Sequence, residues 1–315
     1  MAKRRGFTNK KRRVLVEDRV DQSLKTIETS RVFLHNSFFL RIFAGNMTYA
    51  DLWRPLTAVY DEREAQAVAR LVLEEHFGLS MADVLTGRMP DEAELTSIQQ
   101  RLLTGEPVQY VLGWTEFGGR RFAVRPGVLI PRPETYELCQ WISLTGPCEV
   151  LDIGTGSGCI ACTLAAEQPE VQVTGWDVSA VALGIARENA KRTNVHVSFE
   201  QVDVLRRCRS IGDKWDLIVS NPPYVCECEK VAMERNVLDY EPHLALFVPD
   251  DDPLLFYRVI SAYGQEALKP GGWIYFELNP LYACDVQRLL SMMLYYNIET
   301  KEDQYGKQRM IRAQR

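Results

Sequence analysis

The fold class of this 315-residue chain is indicated most clearly by the segment Glu149-Val-Leu-Asp-Ile-Gly-Thr-Gly-Ser-Gly158. Its apolar start predicts a buried strand, and glycine at positions 154, 156 and 158 predicts a turn that leads into a helix. Glycine permits the positive φ angles of such a turn and lets the backbone approach a ligand closely. Because ligands of open α/β sheets bind at the carboxyl ends of the strands, we expect a binding site here.

Short β-prone runs and helical runs alternate from residue 134 to the end of the chain. Strands are predicted at 150–153, 171–176, 195–201, 215–220 and 273–278, with a final hairpin at 296–301 and 308–313. Helices that separate them are predicted near 134–145, 158–167, 180–193, 253–268 and 281–294. Strands that alternate with helices pair in parallel through right-handed crossovers. The sequence therefore predicts an α/β fold with a doubly wound, mostly parallel, seven-stranded sheet.

The part before residue 134 has two regions of different character. Apolar residues recur at three- and four-residue steps over 47–105, which predicts a small all-helical domain whose last helix is capped by Asp91. Frequent glycine and proline predict a β-rich connector over 106–133. We expect residues 134–315 to form a separate, larger α/β domain.

Charge is distributed unevenly along the chain. Residues 1–46 contain 11 Lys and Arg against 4 Asp and Glu, whereas residues 47–315 contain 26 against 38, which gives the net charge of −5. We expect 1–46 to be a disordered basic extension; a nucleic-acid-binding arm and a physiological start at Met47 are the alternatives. The acidic remainder argues against broad binding to nucleic-acid phosphates. No apolar run is long enough to predict a membrane span.

The eight cysteines are scattered, and no export signal precedes them, so we expect reduced thiols and a cytoplasmic protein. Cys159 and Cys162 have the spacing of a redox or zinc pair, but both fall on the predicted helix after the glycine turn. A second pair at a suitable spacing is missing. We therefore expect both to be buried small apolar residues and predict no metal site.

The glycine spacing favours one class of cofactor over another. The dinucleotide fingerprint Gly-x-Gly-x-x-Gly needs glycine at position 159, which is cysteine here. Asp152, two residues before the first glycine, suits a ligand with a cationic amino end better than a pyrophosphate. This favours S-adenosylmethionine over NAD. Asp177 ends the next strand, where a carboxylate accepts ribose hydroxyls, and Asp203 can accept from an adenine amino group or cap the next segment.

A hydrophobic strand ends in a rigid turn in the segment Asp216-Leu-Ile-Val-Ser-Asn-Pro-Pro-Tyr224. Proline stops both strand pairing and helix, which alone would explain a turn. However, the side-chain carbonyl of Asn221 and the backbone carbonyl of Pro222 can accept the two hydrogens of one NH2 group. Tyr224 offers a flat face to a planar substrate. Preorganised acceptors of this kind suit methyl transfer to a planar nitrogen, so we predict Asn221, Pro222 and Tyr224 as catalytic and Pro223 with them as substrate-binding.

Asn-Pro-Pro-Tyr turns occur in enzymes that methylate adenine, guanine or glutamine nitrogen, and further segments narrow the choice. These segments are Gly105-Glu-Pro-Val-Gln-Tyr-Val-Leu-Gly113, residues 117–122, Val128-Leu-Ile-Pro-Arg-Pro-Glu-Thr135, Glu241-Pro-His-Leu-Ala-Leu246 and Gln304-Tyr-Gly-Lys-Gln-Arg309. With them, the chain resembles the release factor glutamine methyltransferases (PrmC/HemK type) over about residues 47–313. The Pro-Arg-Pro-Glu-Thr segment is the most specific part of the resemblance.

The resemblance implies a class I methyltransferase fold whose helical N-terminal domain contacts a release factor. It also implies methylation of the glutamine in the release factor's Gly-Gly-Gln motif, with S-adenosylmethionine as cofactor and no direct contact with nucleic acid or membrane. The candidate cofactor-binding residues are Asp152, Ile153, Gly154, Thr155, Gly156, Asp177, Asp203, Val204 and Asn221.

Three positions depart from the pattern of the family. Tyr136 stands where an acid commonly follows Pro-Arg-Pro-Glu-Thr, and Val248-Pro-Asp-Asp-Asp-Pro253 replaces a loop that is usually rich in glycine. Asn279 replaces a glycine after Glu277. These departures concern loop conformation more than the reaction.

Two other functions fit parts of the sequence. The first is an adenine- or guanine-amino methyltransferase that acts on nucleic acid, although the acidic charge of 47–315 argues against it. The second is a degenerate methyltransferase fold that serves as a binding module, against which the intact Asn221 and Asp152 argue.

Overall fold

The computed structural model describes residues 47–146, 148–206 and 214–315. The basic extension predicted at 1–46 therefore lies outside the described residues. None of the helices in the described ranges combines the length and the apolar character that crossing a membrane requires.

Helices make up the first part of the described chain. They are α1 (Tyr49–Leu56), α2 (Glu62–Glu75), α3 (Met81–Leu85), α4 (Glu92–Leu103) and α5 (Val108–Leu112). The carboxylate of Asp91 accepts the N–H groups of Ala93 and Glu94, so the predicted cap of α4 is confirmed. Helix α5 lies in the range predicted as β-rich. It is a single turn that begins after Pro107 and ends at Gly113, whose φ of 79° only glycine adopts readily.

The hairpin of β1 (Trp114–Phe117) and β2 (Arg120–Ala123) follows, and its strands pair in antiparallel fashion. Asn189, which is fully buried, joins this hairpin to the glycine turn. Its side chain accepts the N–H of Ala123 at 2.6 Å and donates to the carbonyls of Ala123 and Ser157.

Seven strands form the central sheet. They are β3 (Glu149–Ile153), β4 (Gln172–Asp177), β5 (Val197–Gln201), β6 (Trp215–Ser220), β9 (Leu268–Glu277), β10 (Tyr296–Glu302) and β11 (Gln308–Gln314). Their order across the sheet is β10-β11-β9-β6-β3-β4-β5. Strands β9, β6, β3, β4 and β5 run parallel, and β11 is antiparallel to its neighbours β9 and β10. The doubly wound, mostly parallel sheet predicted from the sequence is confirmed.

Helices cover both faces of the sheet. They are α6 (Pro133–Trp141), α7 (Cys159–Glu167), α8 (Ala180–Arg192), α10 (Leu255–Ala267) and α11 (Ala283–Met292). Successive residues of β3 belong to opposite cores, Val150 to one and Leu151 to the other, as the two-residue period of a strand requires. The remaining elements are the short parallel pair β7 (Val225–Cys226) and β8 (Phe247–Val248), the helix α9 (Arg235–Tyr240) and the 3-10 helices Glu227–Ala232, His243–Ala245 and Pro280–Tyr282.

Strand β9 begins earlier than its sequence pattern predicts. Residues 270–272 are Pro-Gly-Gly, which reads as a turn, yet Leu268 already pairs with Trp215. The register then shifts between Trp215 and Leu217, so the irregular residues are taken up by a bulge.

Candidate active site

The glycine turn between β3 and α7 is built as the sequence predicted. Gly154, Gly156 and Gly158 all have positive φ, and the N–H groups of Gly154 and Thr155 donate to the carbonyl of Trp176 on β4. A Cβ on Gly154 would meet no atom of the described residues within 4 Å, so this face of the turn is open to a ligand. A Cβ on Gly158 would lie 3.0 Å from the Cβ of Ala186, so this glycine lets α8 pack closely against the turn.

Asp152 lies beneath the turn and is completely buried. Its Oδ2 accepts the hydroxyl of Thr155 at 2.6 Å, and its Oδ1 has no partner among the described residues. Burial raises the pKa of Asp152 to about 7, although the hydrogen bond from Thr155 and the nearby backbone amide of Ala161 oppose this shift. The carboxylate therefore shapes the turn from inside. In this conformation it does not reach the surface of the turn to contact a ligand directly.

The side chains of Ile153 and Thr155 also turn inward. Both residues are buried, and the carbonyl of Ile153 accepts the hydroxyl of Ser220 at 2.7 Å. Any contact of these two residues with a cofactor must come from their backbone.

Asp177 ends β4 beside the glycine turn, as predicted. One carboxylate oxygen accepts the N–H of Gly156 at 2.9 Å, and the other accepts the N–H of Ser179 at 2.8 Å. Burial raises the pKa of this carboxyl, and hydrogen bonds from backbone amides oppose that shift. Each oxygen keeps a further lone pair, so Asp177 can still accept two hydroxyl groups of a ligand.

Asp203 and Val204 follow β5 on the same edge of the sheet. The Oδ1 of Asp203 accepts the N–H of Leu205 at 3.0 Å, and its other oxygen pairs with Arg206. The capping interaction considered from the sequence is therefore present. Val204 is buried in the core that the sheet shares with α10 and α11.

The Asn-Pro-Pro-Tyr turn leaves β6 next to the glycine turn, because β6 and β3 are neighbours in the sheet. Asn221 and Tyr224 are partly buried, and Pro222 is buried. The N–H groups of Tyr224 and Val225 both donate to the carbonyl of Leu246, which fixes the end of the turn. The predicted cofactor and substrate residues thus come together at the carboxyl ends of adjacent strands.

The side chain of Asn221 is oriented by Thr135. Its Nδ2 donates to the hydroxyl oxygen of Thr135 at 3.1 Å, and that hydroxyl donates to Oε2 of Glu277 at 2.6 Å. Because the hydroxyl proton points at Glu277, the oxygen of Thr135 can only accept from Asn221. The amide nitrogen of Asn221 must therefore face Thr135, and its carbonyl oxygen faces away. Within the described residues no donor reaches that oxygen or the carbonyl oxygen of Pro222.

Glu277, at the end of β9, connects Thr135 and Tyr224 by accepting a hydrogen bond from each. It is 2% exposed and accepts the hydroxyl of Tyr224 on Oε1 at 2.9 Å in addition to that of Thr135. Burial raises the pKa of Glu277, while the two hydroxyl groups and the nearby Arg309 oppose the shift. Burial also raises the pKa of Tyr224 well above its usual range, with the charge of Glu277 as a second cause, so Tyr224 stays a neutral donor.

The Pro-Arg-Pro-Glu-Thr segment is anchored on its other side by Glu241. The carboxylate of Glu241, which is buried, accepts the N–H of Ile130 at 2.9 Å and pairs with Arg132 at 2.5 Å. The segments 128–135 and 241–246, recognised separately in the sequence, are therefore two halves of one structure beside Asn221. Tyr240, the preceding residue, donates its hydroxyl to Thr104 Oγ1 at 2.6 Å, which ties this structure to α4.

Reasoning from the sequence missed Thr135 and Glu277 as site residues. Thr135 ends the Pro-Arg-Pro-Glu-Thr segment and Glu277 lies in the strand predicted at 273–278, but no pattern in the sequence connects residues 142 positions apart. The available signal was the combination of a hydroxyl at the end of Pro-Arg-Pro-Glu-Thr with an acid at the end of a predicted strand.

Two of the three positions that depart from the expected family pattern, Tyr136 and the 248–253 segment, have a structural explanation. Tyr136 packs edge-on against Phe117, and its hydroxyl donates to Glu167 at 3.3 Å. In the 248–253 segment, Asp252 forms two hydrogen bonds with Arg258, and this partner lowers the pKa of Asp252.

The cysteine pair behaves as predicted. Cys159 and Cys162 are buried in the core, and burial raises the pKa of each thiol to about 12. In the described part of the chain no cluster of His, Cys, Asp and Glu could hold a metal ion.

Known proteins resemble this chain over both of its parts. A family model described as the PrmC N-terminal domain matches residues 56–113, and one described as the methyltransferase small domain matches residues 138–239. The chain is 44% identical over 277 residues to the release factor glutamine methyltransferase of Bacteroides thetaiotaomicron, which covers 86% of this chain and 100% of that protein. It is 39% identical over 273 residues to the release factor glutamine methyltransferase of Flavobacterium psychrophilum, with 82% and 94% covered.

Proposed function

The chain belongs to the family of release factor glutamine methyltransferases, which use S-adenosylmethionine, and on that premise we propose which residues carry out the transfer. Asn221 and Pro222 hold the side-chain amide of the substrate glutamine, and Tyr224 packs against its plane. The substrate is the glutamine of the Gly-Gly-Gln motif of a release factor.

The pair of acceptors without a donor carries this proposal. Oδ1 of Asn221 and the carbonyl oxygen of Pro222 receive no hydrogen bond from any described residue. An NH2 group has two hydrogens, and two fixed acceptors hold it in one orientation before the reaction begins. Positioning of this kind can supply up to about 7–11 kcal/mol of a barrier.

The cofactor residues fit S-adenosylmethionine. The open face at Gly154 admits the ligand against the backbone, and Asp177 keeps lone pairs for two ribose hydroxyls. Asp203 and Val204 lie on the edge that would receive the adenine. Asp152, with one carboxylate oxygen unpartnered beneath the turn, maintains the turn, and its ionised form provides negative charge under the cationic end of the cofactor.

In the proposed reaction the cofactor supplies the methyl group and the protein positions the nitrogen that accepts it. When bound, S-adenosylmethionine supplies the methyl group, and its sulfur keeps the electron pair of the broken carbon–sulfur bond. The amide nitrogen of the glutamine forms the new bond to carbon and releases one proton to solvent. Asn221 and Pro222 turn the nitrogen toward the methyl group, and no residue of the protein forms a covalent bond to the substrate.

We further propose the division of labour along the chain. Residues 47–105 recognise the release factor, 106–133 connect the two domains and 134–315 carry out catalysis. The hydrogen bond of Tyr240 to Thr104 supports this, because it links the structure next to Asn221 with the helical region. The acidic charge of 47–315 supports a protein substrate over a nucleic acid. The free thiols of the described cysteines and a substrate that acts in translation support a cytoplasmic enzyme.

The variant Asn221→Ala tests the proposal. Transfer of labelled methyl groups from S-adenosylmethionine to a release factor is expected to be abolished, while cofactor affinity stays within about tenfold of the wild type, because the lost acceptor serves the substrate. Asn297→Ala, an exposed asparagine on β10, is the matched control and should remain active. Full activity of Asn221→Ala, or loss of cofactor binding in it, would show that the assigned role is wrong.

A further inference from the structure

Asn279 lies two residues after the end of β9, and its side chain is almost completely buried at 5% exposure. Its Nδ2 donates to the backbone carbonyl of Tyr224 at 3.2 Å and to Oε1 of Glu229 at 3.0 Å. Its Oδ1 accepts the N–H of Leu281 at 3.1 Å. A glycine at this position could form none of these three hydrogen bonds.

The contact with Tyr224 has a counterpart at the other end of that residue. The hydroxyl of Tyr224 donates to Glu277, and its backbone carbonyl accepts from Asn279. Both partners belong to the end of β9 and the two residues after it. Tyr224 is therefore held at its ring and at its backbone by one short segment, so the position of its ring depends on both contacts.

Glu229 extends this connection beyond Tyr224. Its Oε1 accepts the N–H of Cys226 at 2.8 Å as well as the amide of Asn279. Cys226 in turn contacts the hydroxyl of Tyr282 through its sulfur at 3.3 Å. The backbone from Tyr224 to Glu229 is thus fastened to the segment after β9 at several points, and the amide group of Asn279 contacts both ends of it.

We propose that Asn279 is a positioning residue for methyl transfer, which fixes Tyr224 against the substrate glutamine by holding its carbonyl and the carboxylate of Glu229. This inference rests on the proposed role of Tyr224 in the substrate site. The side chain of Asn279 is therefore part of how this chain holds its substrate turn, and it also fills buried space.

The variant Asn279→Asp separates the donor role from the others, because it keeps the shape and the oxygen that accepts from Leu281. It removes both donated hydrogen bonds and places a second carboxylate next to Glu229. We expect kcat per folded molecule to fall about tenfold, while the KM for S-adenosylmethionine stays within about twofold. Active sites are counted by cofactor titration, so partial unfolding does not enter kcat.

A second substitution tests the pairing itself. Glu229→Gln in the Asn279→Asp background supplies an amide donor to the new carboxylate and keeps an oxygen for the N–H of Cys226. We expect kcat to recover in part. Glu227→Gln, at an exposed acid on the same 3-10 helix, is the matched control and should give no recovery. Asn279→Gly, which removes the connection without adding charge, should lower kcat in the same direction but less.

The outcomes distinguish this inference from the function on which it rests. If Asn221→Ala is inactive while Asn279→Asp and Asn279→Gly keep the wild-type kcat, the proposed function stands and the role of Asn279 is wrong. Equal recovery with Glu229→Gln and Glu227→Gln would also overturn it. If Asn221→Ala is fully active, the substrate site is assigned wrongly, and the inference fails with it.

Discussion

Thr135→Val tests how Asn221, the proposed catalytic residue, is held. The substitution preserves the branched shape of a residue that is 2% exposed and removes only its hydroxyl group. That group donates to Glu277 at 2.6 Å and accepts from Asn221 at 3.1 Å. The variant therefore leaves a buried carboxylate oxygen without its donor and a partly buried amide without the acceptor that orients it.

The magnitude follows from these two contacts. A hydrogen bond to a charged group contributes about 1.5–3 kcal/mol, so we expect the free energy of unfolding to fall by about 2–3 kcal/mol at neutral pH. The effect on activity has two parts. If both orientations of the Asn221 amide became equal in energy, about half of the molecules would present nitrogen instead of oxygen to the substrate. Loss of the fixed side-chain position adds to this, and we expect kcat to fall about tenfold.

The stability effect should depend on pH, because the hydroxyl of Thr135 lowers the pKa of Glu277 against burial. Without it, the pKa of Glu277 rises further above its ordinary value of 4.5. A carboxyl whose pKa is raised by folding contributes stability that is present below its unfolded pKa and is lost as pH rises through its folded pKa. The destabilisation by Thr135→Val should therefore be small in acid and should grow toward neutral pH.

Three measurements check this prediction: methyl transfer to a release factor, cofactor titration, and denaturant unfolding at several pH values. Thr300→Val, on an exposed face of β10, is the control for the same exchange of threonine for valine at a position outside this hydrogen-bond network. An unchanged kcat in Thr135→Val, together with a loss of stability, would refute the orienting role. A loss of stability that is equal at acid and neutral pH would refute the link to Glu277.

Three further predictions concern the glycine turn. Asp177→Asn removes a negative charge from the proposed ribose site and should weaken cofactor affinity about tenfold, with little change in kcat at saturation; equal affinity by titration would contradict the assignment. Because burial raises the pKa of Asp152 to about 7, the stability that this carboxyl contributes should be lost as pH rises from 4 to 7, and Asp152→Asn should show a shallower decline than the wild type in denaturant unfolding. At Gly158, where φ is 79°, an added Cβ would lie 3.0 Å from the Cβ of Ala186, so Gly158→Ala should lower the free energy of unfolding by about 2–3 kcal/mol. Gly306→Ala is the control, because φ is also positive there but the space is open, and its loss should be smaller. Similar losses in the two variants would mean that the contact with Ala186 is not limiting.

Most of the fold could be predicted from local patterns. The five parallel strands and the final hairpin lie where the short β-prone runs were found, because burial in a sheet leaves a signal in the residues of each strand. The early start of β9 could not be predicted, since Pro270 and the two following glycines indicate a turn. Its pairing with β6 through a bulge depends on a strand that lies about 50 residues away in sequence.

The candidate site likewise contains features that local sequence patterns predict and features that depend on residues distant in sequence. The sequence correctly placed Asp177 and Asn221 at the ends of strands beside the two turns, because glycine spacing, proline and the ends of predicted strands are local features. It did not show that Asp152 would be buried under the turn, because the direction of a side chain at the end of a strand depends on what packs against it.

The sequence by itself determined the class of sheet, the order of its elements and the two turns at which we propose that cofactor and substrate meet. Only the tertiary structure decided which way the amide of Asn221 points and what holds Tyr224. Those answers depend on Thr135, Glu277 and Asn279, which reach the site from other elements of the chain. A hydrogen bond acts over about 3 Å, and only folding brings residues so far apart in sequence within that distance.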